Sequence, residues 1–67
     1  MEGNIIEEII NRKMISLRAF SKQIGFNPSV VSRVKNREQR MSYRMAFKIS
    51  QVFGYDLDTI LKVEKID

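Results

Sequence analysis

The sequence predicts an all-α fold, a compact five-helix domain. Three observations predict it. Residues that favour the start of a helix recur at Asn4, Ser16, Asn27-Pro28, Ser42 and Asp56. Each is followed by apolar residues three and four positions apart, the spacing that lines one side of a helix. The segments between these runs are short and polar, as they are between packed helices. With 67 residues there is room for one domain, residues 1–67. A chain of this length buries only about 60% of its unfolded surface, and small folds usually add a disulfide, a metal or a partner. Cys is 0 and His is 0, which excludes disulfides and zinc fingers. Helix packing and self-association are what remain.

Asn4-Ile5-Ile6-Glu7 reads as a cap with Glu three residues on. Glu7 and Glu8 fall in the first turn, Arg12 and Lys13 in the last, and both placements suit the helix dipole. Ile5, Ile6, Ile9 and Ile10 form the apolar stripe, so α1 is Ile5–Lys13. Ser16 caps α2, Leu17–Ile24, with Leu17, Phe20, Ser21 and Ile24 on one face. Gly25 stops it, since glycine enters the left-handed conformation without steric cost. Asn27-Pro28 opens α3, Pro28–Lys35: Asn caps, and Pro suits the first helical position. Val31 and Val34 point one way, while Ser29, Ser32, Arg33 and Asn36 occupy the opposite arc. Val30 falls beside Val34 by helical angle, which favours the core, with an outward contact from α3 as the other reading. Residues 36–41 are polar and basic up to Met41 and read as a loop. Ser42 caps α4, Tyr43–Phe53, which Gly54 closes. Tyr43, Met45, Ala46, Phe47, Ile49, Val52 and Phe53 cover more than half of its circumference, so α4 is either central or in contact with a partner. Asp56 caps α5, Leu57–Val63, carrying Leu57, Ile60 and Leu61.

Charge is distributed unevenly along the chain. Residues 12–48 hold ten cations against Glu38 alone, within a net charge of +4. Glu2, Glu7 and Glu8 precede this stretch, and Asp56, Asp58, Glu64 and Asp67 follow it. A basic middle between acidic ends outlines a polyanion-binding face. No run approaches the ~18 apolar residues of a membrane span, and no signal-peptide core follows Met1. A Trp- or Phe-rich amphipathic helix for lying on a membrane is also missing. A cytoplasmic, nucleoid-associated protein is therefore expected, with no membrane partner. Without His or Cys, most nucleophilic and general-base arrangements cannot be assembled, and no enzyme is expected. No cofactor, metal or small-molecule ligand is expected either.

The pair Leu17–Ile24 and Pro28–Lys35, joined by Gly25-Phe26-Asn27, has the outline of a helix-turn-helix. The run from Ile15 to Asn36 resembles the Cro/cI-type (XRE) helix-turn-helix family of bacteriophage and bacterial regulators. Gly25, Ser29-x-x-Ser32-Arg33, Asn36 and Gly54-x-x-Leu57-Asp58 carry the specific part of that likeness. Ser42, Lys48, Ile49, Ile60 and Leu61 extend it, so that residues 5–61 are covered. The resemblance implies a lambda-repressor-like domain that lays α3 in the major groove of double-stranded DNA, where base pairs are distinguishable. It implies base contacts from Ser29, Ser32 and Arg33, with Arg33 suited to a guanine edge. Phosphate contacts are expected from Arg18, Asn36, Arg37, Arg40, Ser42, Tyr43 and Arg44. The free N–H groups at the start of α4 would join them.

Two departures put the base code in doubt. Many phage repressors have a pair of Gln at the first positions of the two motif helices, and this chain has Leu17 and Pro28 there. Ser21 stands where the family has Ala, and Arg37 where it often has Gly. The expected protein is a Cro-like repressor that binds a pseudo-palindromic operator as a homodimer. Met45, Val52 and Tyr55 are its candidate dimer residues, with completion of a small core as the other reading. With no appended domain, its regulation would come from concentration or a partner. The alternative function is an antitoxin or antirepressor-type protein-interaction module on the same fold.

Overall fold

A computed structural model describes residues 4–66. Its helices are α1 (Ile5–Lys13), α2 (Leu17–Ile24), α3 (Pro28–Lys35), α4 (Tyr43–Phe53) and α5 (Leu57–Val63), and no strand occurs among the described residues. Every expected cap forms. Asn4 Oδ1 accepts from Glu7 N at 3.1 Å, and Ser16 Oγ from Ala19 N at 3.0 Å. Asn27 Oδ1 accepts from Ser29 N at 2.8 Å, Ser42 Oγ from Met45 N at 3.1 Å, and Asp56 Oδ2 from Thr59 N at 3.0 Å. Each bond satisfies one of the N–H groups that a helix start leaves without an intrahelical partner.

The core draws on all five helices. Ile5, Ile6 and Ile9 of α1 meet Phe20 and Ile24 of α2, Val31 and Val34 of α3, Met45, Ala46 and Ile49 of α4, and Ile60 of α5. Fully burying one such aliphatic side chain contributes about 1.5–3 kcal/mol. Phe20 stacks on Phe53 with ring centroids 5.1 Å apart. Val30 is half-buried and packs against this core, as its helical angle implied. Ser21 is fully buried, and its hydroxyl donates to Leu17 O at 2.8 Å. A serine in place of alanine is thus accommodated without an unpaired polar group.

The wide apolar arc of α4 has a specific cause. The helix packs on both α2 and α5. Met45, Ala46 and Ile49 are consequently enclosed within a single copy of the chain. Met45 is 1% exposed, so its candidacy as a dimer residue is corrected: it completes the core. Tyr43, Phe47 and Val52 remain on the outer side of α4. Tyr55 is half-buried, and its hydroxyl is buried without a hydrogen-bond partner among the described residues.

Candidate nucleic-acid interface

Helix α3 is held at both ends. At its start, Asn27 caps and Pro28 fixes the first turn. At its end, the last carbonyls need partners from outside the helix. Asn4 supplies them: its Nδ2 donates to Val34 O at 2.8 Å and to Lys35 O at 3.0 Å. Asn4 is 1% exposed, so the residue that caps α1 also clamps the end of α3 across the core.

The chain then reverses. Arg37 adopts a left-handed conformation (φ 63°), Arg37 N donates to Val34 O at 3.1 Å, and Glu38 N donates to Arg33 O at 2.8 Å. This pair of bonds is a Schellman closure, normally built on glycine at the left-handed position. The reversal returns Gln39 to α3, where its Oε1 accepts from Arg33 Nε at 3.1 Å. Arg37 Nη1 lies 3.7 Å from Glu64 Oε1, and Glu64 Oε2 accepts from Ile5 N at 3.2 Å. Arg40 Nη2 donates to Lys65 O at 2.8 Å. The loop after α3 is thereby tied to the end of α5 and the start of α1.

Ser29 and Arg33 lie exposed on α3, one turn apart, and Ser32 beside them is half-buried. Asn36 is exposed at the end of the helix, where its N–H donates to Ser32 O at 2.9 Å. Arg18 is exposed in the first turn of α2. Ser42, Tyr43 and Arg44 are exposed at the start of α4. The Ser42 cap engages Met45 N, so the N–H groups of Tyr43 and Arg44 keep no hydrogen-bond partner among the described residues. Arg44 and Lys48 line one side of a cleft whose other wall is the turn from Ile24 to Asn27.

The helix-turn-helix family model matches residues 6–60. The chain belongs to that family. Within this helix-turn-helix chain, Gly25, at φ 76°, closes α2 ahead of α3. A similar curated protein is the uncharacterized HTH-type transcriptional regulator YddM of Escherichia coli (strain K12), 35% identical over 52 residues. The alignment covers 78% of this chain and 55% of that relative, so the chain spans about half the relative's length. No solved structure matches the chain.

Several residues of the expected interface are exposed, but not all are free. Ser29, Arg33, Asn36, Arg18 and Arg44 present polar groups to solvent. Arg37 and Arg40 also hold the fold together, which their position in a basic loop did not reveal. Gln39, Glu64 and the second role of Asn4 had no signal in the sequence, because each acts on a residue far from it in the chain or across a turn. Among the described residues no group of three acidic, His or Cys side chains is placed to hold a metal. No described helix is long and apolar enough to cross a membrane.

Proposed function

We propose that this chain is a sequence-specific duplex-DNA-binding transcriptional regulator, a Cro-like repressor that reads DNA with α3 in the major groove. The supporting observation is the exposed face of α3, where Ser29 and Arg33 stand one turn apart on a helix anchored at both ends. A helix of this kind fits the major groove, and a guanidinium can bond O6 and N7 of guanine together. Ser32, half-buried, takes the edge of that contact. Arg18, Asn36, Arg44 and the start of α4 at Ser42 and Tyr43 contact phosphates on either side, and Arg37 and Arg40 add charge next to them. The name of the E. coli relative, an HTH-type transcriptional regulator, supports the same reading.

Two copies bind a pseudo-palindromic operator through an isologous contact. Val52, 40% exposed, and Tyr55 at its rim are the remaining candidates for that contact. Selection of bound sequences from random duplex DNA tests the function directly. A palindromic consensus is the expected result. Absence of any enriched sequence would replace this reading with the protein-interaction module.

A further inference from the structure

We propose that Gln39 is a positioning residue for base recognition: it orients the guanidinium of Arg33 so that its outer edge faces the groove. The inference rests on the proposed function, since it assigns a partner to the residue proposed to read the base. Arg33 is exposed, and its side chain is otherwise free to sample many rotamers. Gln39 Oε1 accepts from Nε at 3.1 Å. Nε is the guanidinium donor nearest the backbone. Its engagement by Gln39 leaves both terminal Nη groups for outside partners, and together they make a two-pronged fork. A side-on approach to guanine would need Nε itself, so the Gln39 bond favours the end-on approach through the two Nη groups.

The backbone explains why Gln39 is in place. The left-handed Arg37 and the bond from Glu38 N to Arg33 O at 2.8 Å turn the chain back along α3. Gln39 follows directly on that bond. Its role therefore depends on the Schellman closure, which is itself fastened to Glu64 through Arg37. Leu17, at the start of α2, offers no side-chain hydrogen bond, and the bracing comes from the loop after α3.

The test is a binding matrix over all single-base variants of the selected operator, measured for five proteins. These are the natural chain, Gln39→Met, Gln39→Glu and Arg33→Ala, with Gln39→Met also made in the Arg33→Ala background. Gln39→Met keeps the length of the side chain and removes the acceptor. It should lower discrimination about 2- to 10-fold at the base pair that Arg33→Ala relaxes, the range of one ordinary hydrogen bond. The salt dependence should stay unchanged, because no charge is lost. Gln39→Glu retains an acceptor oxygen and should restore discrimination at that pair, while its negative charge weakens all sequences alike. In the Arg33→Ala background, Gln39→Met should have no further effect. If Arg33→Ala relaxes one base pair and Gln39→Met leaves the matrix unchanged, the positioning role is overturned and the functional reading stands. A uniform loss from Gln39→Met, or a shift at a different base pair, also overturns it. A uniform loss from Arg33→Ala removes the base-reading assignment, and the role of Gln39 with it.

Discussion

Arg33 carries the most specific chemistry on the surface of α3, and its contribution is separable from charge. Removing it should cost about 1–3 kcal/mol in binding and relax preference at one base pair of each half-site. Arg33→Lys restores the positive charge without the planar fork, so affinity should return further than specificity. Ser29→Ala is the matched control. Ser29 sits one turn earlier on α3 and should shift preference at a different base pair. The binding matrix distinguishes these outcomes, and an equal loss in every entry for Arg33→Ala would make Arg33 a phosphate anchor. Asn4 shows how a single buried side chain sets up this chemistry from a distance. Its carboxamide accepts one N–H of α1 and donates to two carbonyls of α3, so α3 is fixed relative to the core by polar bonds as well as packing.

Helix ends are where local sequence and tertiary structure divide the work. Ser, Asn and Asp caps and the glycines at positions 25 and 54 made all five helices legible, because each signal acts within a few residues of itself. At the other three ends the bounds were legible but the closing geometry was not. Met14, Arg37 and Lys65 occupy left-handed conformations that β-carbons disfavour, and no glycine announces them. The burial of Met45 was one of two readings that the sequence left open, since helical periodicity cannot say which helices flank α4. The bonds of Asn4 to α3 and of Glu64 to α1 span 30 and 59 residues, beyond the reach of any local pattern. Met14 offers a clean test of the left-handed ends. It closes α1 at φ 56°, and its side chain is 90% exposed, so little packing is lost on replacing it. Met14→Gly removes a conformational cost of roughly 1–2 kcal/mol. Part of that gain is offset by the greater freedom of glycine in the unfolded chain. The net effect should be a stabilisation of about 0.5–1 kcal/mol, seen as a rise of a few degrees in thermal melting. A lower melting temperature would show that Met14 contributes contacts that outweigh its backbone strain.

At the scale of the molecule, both ends of the described chain converge on the loop that follows α3. Ile5 N and Arg37 share Glu64, and Arg40 holds Lys65 O. Cations in this region therefore differ in kind: Arg44 is exposed and has no ion-pair partner among the described residues, whereas Arg37 is joined to a carboxylate that is only 4% exposed. If each copy neutralises about five phosphates, the log–log salt slope of a dimer on DNA is on the order of −9. Arg44→Ala should flatten that slope by roughly 1 for each contact removed, with the melting temperature unchanged. Arg37→Ala should lower the melting temperature as well, because Glu64 loses its counter-charge. A slope near zero in the natural chain would remove the electrostatic basis of the proposed interface.

The same distinction between free and enclosed residues decides how self-association is to be tested. Val52 and Met45 both lie on α4, yet Val52 is 40% exposed and Met45 is 1% exposed. A lysine at position 45 would place an unpaired charge in the core and should unfold the chain. A lysine at position 52 reaches water, so helical content should persist. If Val52 lies in the dimer contact, Val52→Lys brings two like charges toward each other across the symmetry axis and shifts sedimentation toward the monomer. Operator affinity should fall in the same variant, while binding to an isolated half-site should not fall, since added positive charge favours DNA. Unchanged self-association in a folded Val52→Lys would place the contact on another face, with the exposed, stacked Tyr43 and Phe47 as the next surface of α4 to substitute.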